Sequence, residues 1–390
     1  MAVSDIARRR HRLILCALSL LAVAFTGACA NTTPVAIGAV YNLTGGQEDL
    51  DIPSSRGARL AVDEANKAGG VLGQPISLTV VDGETQPDVI ARKTTALIER
   101  QPALAGLIGL SDTDMVLAAA RVAARDRRLF LTSGATSPLL PRQVPDYLFL
   151  ACFGDNVQAA AGAEWAIKTL KARTAVVLYK SASSYAQLLH GYFETRFKQL
   201  GGRVRAVRPY TLATLRAVAR YLPRADLVYF AAQPDDVVTG IAALRAAHVT
   251  APILGGDGLD IGDNWSKVAR ADKVYFTTHA YLGADNPDAR VQAFRALFAA
   301  AYPGQQPDAF TALGYDTARL LLAAIASAGS AEPDAVRAAL AKTDGFAGVT
   351  GAIGYRDGGR IPVKTVSVIA VSRGRQSLAA SVMPEEVPAP

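Results

Sequence analysis

Residues 104–138 read LAGLIGLSDTDMVLAAARVAARDRRLFLTSGATSP, and the organisation of this chain follows from them. An apolar run over 103–110 breaks off at Gly109 into Ser111, Asp112, Thr113 and Asp114. A short Ala-rich helix is predicted next, then a second strand over 128–131 ending in a hydroxyl cluster, Thr132 to Ser137. Parallel strands joined by a helix bring both polar ends to one carboxyl edge of a sheet, the edge where open α/β sheets bind ligands. Helix N-termini, free N–H groups and hydroxyls at such an edge suit an anionic group such as a carboxylate.

Working outward, the alternation continues in both directions. A strand over 35–40 is followed by a loop over 41–53, with Ser54 or Ser55 able to cap a helix that Gly69 and Gly70 end. Ile76, Leu78 and Val80 alternate as a strand, and a helix over 87–100 leads into the opening stretch. Beyond 147–153 the pattern restarts, with helices predicted over 157–170, 185–200, 212–222 and 236–247. Strands over 174–179, 204–207, 226–232 and 252–255 lie between and after them. This reads as α/β, two doubly wound lobes with parallel sheets covered by helices on both faces. A strand over 274–278 looks like a return crossing, three helices within 288–302, 308–328 and 333–342 rejoin the first lobe, and a hairpin around 351–373 crosses again. Alternation alone equally allows two sequential domains. Residues 383–390, PEEVPAP with its preceding Met, lack apolar periodicity and read as a disordered tail.

A chain of 390 residues exceeds one ordinary domain, and half of it is hydrophobic with few aromatics, so an aliphatic, Ala-rich core is expected. Arg8, Arg9, Arg10 and Arg12 against Asp5 carry three of the seven net positive charges, leaving +4 for the remainder. With no basic patch interleaved with aromatics, no nucleic-acid partner is expected. Residues 1–28 form a secretion signal: a basic segment, then an apolar run over 13–25 that is short for a membrane span. Cys16 leaves with the signal. Cys152 lies in the apolar stretch YLFLACF and reads as a small buried hydrophobe.

Six segments carry a resemblance. LTGGQ at 43–47, RGARLAVDEANKAGGVLGQPISLTVVDGETQPDVIARK at 56–93, LTSGATSP at 131–138, GGDGLD at 255–260, PDAFTALGYDTARLL at 307–321 and FAGVTGAIGYRDGGR at 346–360 occur in register. In that order and spacing the chain resembles the leucine/isoleucine/valine-binding (type I periplasmic binding protein) family, the substrate-binding proteins of bacterial ABC importers. The resemblance implies two lobes joined by a three-strand hinge. It places an N-terminal lobe at 34–150 plus 280–350 and a C-terminal lobe at 151–279 plus 351–382. The sequence TGA-Cys29 resembles a lipoprotein signal, with Cys29 acylated and the protein tethered outside the membrane. Thr26 stands where that pattern prefers Leu, and ordinary cleavage nearby is the alternative.

A free amino acid presents a carboxylate, an ammonium and a side chain, and each buried charge needs partners. The resemblance assigns the carboxylate to hydroxyls in the two opening loops, Thr113 and Thr136, assisted by backbone N–H groups near Ser111 and at Gly134 and Ala135. The bland alternative for each Thr or Ser is a helix cap. Asp257 matches the family's acidic partner for the ligand amine; otherwise it is a surface Asp between glycines. Tyr185 matches an aromatic that covers the ligand and Phe310 one near the side-chain pocket, core packing being the alternative for both. Gln233 and Leu50 stand where the family often has aromatics and Asp112 where it often has Ser, which points away from leucine towards a more polar or larger side chain.

No G-x-S-x-G, phosphate-binding G-x-x-x-x-G-K or H-E-x-x-H occurs, and His190, His248 and His279 each stand alone, so neither an enzyme, a cofactor nor a metal is expected. The expectation is a secreted protein that captures an amino acid between two lobes and hands it to a membrane ABC permease. A sensor subunit of the same fold and a secreted α/β enzyme are the rivals.

Overall fold

Short apolar strands and Ala-rich helices alternate twice along the chain, and the computed structural model, which describes residues 33–355 and 357–390, folds each series into its own sheet. The first series runs β1 (Val35–Tyr41), α1 (Glu48–Lys67), β2 (Ile76–Asp82), α2 (Pro87–Arg100), β3 (Leu107–Gly109), α3 (Thr113–Arg125), β4 (Phe130–Thr132), α4 (Leu140–Gln143) and β5 (Leu148–Leu150). Its five strands pair in the order β2-β1-β3-β4-β5, all parallel. The second series runs α5 (Asp155–Lys168), β6 (Thr174–Lys180), α6 (Ser184–Gln199), β7 (Arg203–Tyr210), α7 (Leu215–Arg220), β8 (Leu227–Ala231), α8 (Pro234–Ala246), β9 (Ile253–Gly255) and β10 (Val274–Thr278).

The chain then returns. Helices α9 (Ala289–Ala301), α10 (Ala309–Ala328) and α11 (Pro333–Leu340) join the first lobe, whose core they complete with Phe294, Ala312, Leu321 and Leu340. A hairpin of β11 (Phe346–Gly348) and β12 (Gly351–Ile353) follows, and β13 (Val366–Ser372) and β14 (Arg375–Val382) rejoin the second sheet. The chain thus passes between the sheets three times, over 151–154, 279–288 and 354–365. Lys364, on the third passage, donates to Ala151 O on the first at 3.2 Å and to Thr350 Oγ1. Burial lowers its ammonium to about 8.

Helices α1 and α10 approach very closely because two glycines allow it. A Cβ on Gly57 would lie 1.9 Å from Thr311 O, and one on Gly314 would lie 1.8 Å from Ser54 O. Any larger residue at either position forces the helices apart.

The structure departs from the sequence reading at four places. The second sheet, β14-β13-β10-β9-β8-β6-β7, is mixed rather than parallel, because β13 pairs antiparallel with β10 and β14 with β13. Helix α1 begins at Glu48, not after Pro53; Glu48, Asp49 and Asp51 fill its first turn, where the helix dipole favours acids. Ser54 and Ser55 therefore do not cap it, and Ser54 donates instead to Ser133 Oγ at 3.0 Å. The C-terminal segment is not a loose tail. Glu385 N donates to Glu164 Oε1 at 3.0 Å, Arg196 Nη1 to Glu386 Oε2 at 2.7 Å, and Asn156 Nδ2 to Pro388 O at 2.9 Å. Its anchors are polar, so apolar periodicity could not reveal them. The signal at 1–28 and Cys29 lie outside the described residues.

Candidate functional site

The carboxyl ends of β3 and β4 carry the first-lobe half of the site. Gly109 bends the chain out of β3 at a φ of +125°, which only glycine adopts freely, and a Cβ there would strike Val40 O at 1.9 Å. Asp112 then caps α3, its Oδ1 accepting from Asp114 N at 2.9 Å and Met115 N at 3.2 Å. Asp112 rather than Ser111 or Thr113 takes the capping role, which leaves both hydroxyls unused. Ser111 Oγ and Thr113 Oγ1 are buried and have no partner among the described residues. Ser111 borders the space over Gly134: a Cβ on that glycine would meet Phe310 Cε1 at 2.9 Å and Ser111 Oγ at 3.0 Å. Two nominated N–H groups are already engaged, Gly134 with Leu110 O at 3.5 Å and Ala135 with Thr132 Oγ1 at 3.2 Å. The loop's own folding occupies the Ala135 donor, while the Gly134 contact lies at the outer limit of a hydrogen bond.

The second-lobe half is organised around Asp257, which opens a single 3₁₀ turn after β9 and is 3% exposed. Its Oδ1 accepts from Gln158 Nε2 at 2.7 Å and Tyr185 OH at 2.8 Å, and its Oδ2 lies 3.0 Å from His279 Nε2. Tyr185 OH in turn accepts from Gly258 N at 3.0 Å. Burial, with Asp257 alongside, raises the Tyr185 phenol well above its usual value and keeps it a donor. Burial likewise lowers His279, whose ring is therefore neutral. That ring stacks on Phe153 at 4.1 Å and meets the edge of Phe310 at 5.9 Å.

The two halves are continuous. Gln158 Nε2 also donates to Asp155 Oδ1 at 3.0 Å, and Asp155 N donates to Thr136 O at 2.7 Å. Thr136 is 2% exposed. Burial, reinforced by Asp257, raises the Asp155 carboxyl well above the usual range. From Ser111 and Gly134 a chain of contacts thus runs through Phe310, His279, Asp257 and Gln158 to Asp155 and Thr136.

A second set of contacts closes the seam. Gln233 Nε2 donates to Asp112 Oδ2 at 2.9 Å and Ser183 Oγ at 2.7 Å. Gln47 Nε2 donates to Gln233 Oε1 at 3.1 Å and Asp112 Oδ2 at 3.3 Å. Ser184 N reaches Asp114 Oδ2 at 3.0 Å and Asn264 Nδ2 reaches Asp49 Oδ1 at 2.8 Å. Four of these bonds, Gln233–Asp112, Gln47–Gln233, Ser184–Asp114 and Asn264–Asp49, join residues of the first series to residues of the second and hold the lobes shut. Burial raises Asp112 to about 6, with Asp114 adding to the effect and Gln233 opposing it. Leu50 is buried in the first lobe's core, among neighbours that include Phe310. An open cavity of about 490 Å³ lies elsewhere along the seam, lined by Asp49, Arg56, Asn264, Tyr281, Arg295 and Gln306. None of the nominated residues borders it. Of the nominated groups, Ser111 and Thr113 carry buried, unpartnered hydroxyls, and Asp155, His279 and Gln47 beside them carry others, whereas no residue lining that cavity does, so the chemistry points to the closed seam.

Sequence reasoning missed Asp155, Gln158, His279 and Gln47. The signal was present for two of them. Asp155 and Gln158 are acidic and amide residues one turn apart at the head of a helix otherwise rich in buried alanine. Cys152 is buried as expected, its Sγ 3.3 Å from Ala135 O, and burial raises its thiol.

The sequence profile of the family described as "Periplasmic binding protein" matches residues 34–376. The chain belongs to this family. It is 28% identical over 320 residues to the Leu/Ile/Val-binding protein BraC3 of Rhizobium johnstonii, covering 80% of this chain and 84% of that one. Among solved structures it is similar to the branched-chain amino acid transporter substrate-binding protein LivJ of Streptococcus pneumoniae, in complex with isoleucine. That likeness has a TM-score of 0.81 and 25% identity, over 92% of this chain and all of the other. A solute-binding protein of R. palustris in complex with benzoate shares the fold, with a TM-score of 0.78 and 22% identity over 91% of this chain and 98% of that one. The type I periplasmic binding protein fold expected from the six motifs is therefore the fold of this chain. Periplasmic binding proteins work outside the cytoplasm, and the family binds substrates rather than converting them.

Proposed function

We propose that this protein captures an amino acid in the seam between its lobes and delivers it to a membrane ABC permease. The carrying observation is the pairing of opposites. A buried carboxylate, Asp257, is held on the second lobe, across His279 and Phe310 from the unpartnered hydroxyls of Ser111 and Thr113 on the first. Asp257 takes the ligand ammonium, the hydroxyls of Ser111, Thr113 and Thr136 take its carboxylate, and Tyr185 closes over it. Gln233 and Phe310 border the side chain. Each lobe alone offers half of this set, so ligand binds the shut form better and draws the lobes together.

The same fold elsewhere holds benzoate, which has no ammonium. The Asp257 carboxylate would repel such an anion, which favours a ligand carrying an amine. Acylation of Cys29 would tether the protein beside its permease.

Calorimetric titration of the ligand-stripped protein with amino acids and with benzoate tests this reading. Binding of an amino acid and indifference to benzoate is the expected result; benzoate binding with no amino-acid binding overturns it. Loss of that amino acid's uptake on deletion of the gene, with the neighbouring permease intact, is expected for the transport role.

A further inference from the structure

The seam holds more carboxyl groups than a single ammonium answers. Asp155 Oδ1 and Asp257 Oδ1 accept from one amide nitrogen, Gln158 Nε2, at 3.0 and 2.7 Å, so two carboxylates lie side by side. Asp112 is buried close enough to act on Asp155 as well. Among the described residues no Lys or Arg nitrogen pairs with any of the three: Lys180 is taken by Asp235 and Asp236, and Lys364 by Ala151 and Thr350. The partner of Asp257 is the neutral His279.

A separate observation concerns unused acceptors. Gln47 Oε1 is buried without a partner, and Asp155 Oδ2 makes no well-formed hydrogen bond, with only the Thr136 hydroxyl facing its carboxyl. Gln47 is anchored by its nitrogen, which donates to Asp112 Oδ2 and Gln233 Oε1, and this fixes its oxygen as the free end of the amide. Unmet acceptors in a closed, buried seam call for N–H donors from outside the chain. One such acceptor lies beside Asp257 and the other beside Asp112, so the missing donors belong to two separate groups.

We infer that the ligand is an amino acid whose side chain carries a second cation, an ammonium or a guanidinium. Its α-ammonium sits between Asp155 and Asp257, and its side-chain cation meets Gln47 Oε1 with the Asp112 carboxylate behind it. The Ser111 and Thr113 hydroxyls remain for the α-carboxylate. Beside those hydroxyls the seam presents an acid, Asp112, and two amides, Gln47 and Gln233. The inference rests on the amino-acid reading above and narrows it to one chemical class.

The test is calorimetric titration of the ligand-stripped protein with L-arginine, L-lysine and L-leucine, in the wild type and in Asp112→Asn and Gln47→Leu variants. Arginine or lysine is expected to bind at least about tenfold tighter than leucine. Each variant should weaken the basic ligand by about tenfold or more and leucine by less than about threefold. Leucine binding as tightly as the basic amino acids, or equal losses for both classes in the variants, overturns the inference and leaves the amino-acid reading standing. Failure of all three to bind while benzoate does overturns both.

Discussion

The two halves of the seam are finished to different degrees. On the second lobe every polar atom of the Asp257 carboxylate is engaged, by Gln158, Tyr185 and His279. On the first lobe the Ser111 and Thr113 hydroxyls are buried with nothing to bond. A buried polar group without a partner costs roughly 1–3 kcal/mol, so the first-lobe hydroxyls store a cost that a ligand relieves, while on the second lobe Asp257 is held ready and the unmet atoms, Asp155 Oδ2 and His279 Nδ1, flank it. Pre-organisation on one side and an unmet demand on the other give affinity without requiring either lobe to rearrange internally.

Removing the finished half has the largest effect. Asp257→Ala strands a ligand ammonium and should weaken amino-acid binding by about 2–5 kcal/mol by calorimetry. It also leaves the Tyr185 and His279 donors unpaired and removes one of the two acceptors of Gln158 Nε2, so the ligand-free protein should melt at a lower temperature. Unchanged affinity would break the comparison. The unfinished half predicts the opposite balance. Ser111→Ala and Thr113→Ala should each cost about 1.5–3 kcal/mol of affinity, the range for a hydrogen bond to a charged group. Both should leave the melting temperature of the ligand-free protein unchanged or raised, because an unsatisfied hydroxyl is lost. A fall as large as that of Asp257→Ala would show that these hydroxyls serve the fold.

Gln233→Ala removes bonds to Asp112, Ser183 and Gln47 at the seam and should cost about 1 kcal/mol, read as faster ligand release in stopped flow. The smallest effect is a pH slope. Burial raises Asp112 from its ordinary 3.8 to about 6, so the folded protein holds a proton there that the unfolded chain has released. That contribution is complete below pH 3.8 and is lost as pH rises through about 6. Urea midpoints at pH 4.5 and 7 should therefore fall less for Asp112→Asn than for wild type.

The two halves also differed in how far the residues alone disclosed them. Asp257, Thr113 and Thr136 are nominated by the family resemblance of motifs at strand ends, and the placing of those motifs at sheet edges is legible because strands and their loops are written in consecutive residues. Asp155, Gln158 and His279 come from a helix start and a crossing segment that no local pattern ties to the GGDGLD loop. Only the fold unites them. The same reason hid the antiparallel edge of the second sheet and the anchoring of 385–388, both of which depend on partners far away in sequence. Local chemistry also did not show that the loop takes up the Ala135 N–H itself, through Thr132 Oγ1. Pro53 misplaced the start of α1, because a proline inside a helix forfeits one bond while acids in the first turn keep the helix wound.

His279 belongs to the ribbon on which the lobes swing, yet its ring touches the carboxylate at the heart of the socket and stacks against Phe153 on a neighbouring ribbon. Any rotation of the lobes must drag that ring, and any load on Asp257 must be felt at the pivot. Uncoupling cargo from opening would require breaking this joint, so on the proposed reading the release of ligand and the parting of the lobes form a single mechanical event.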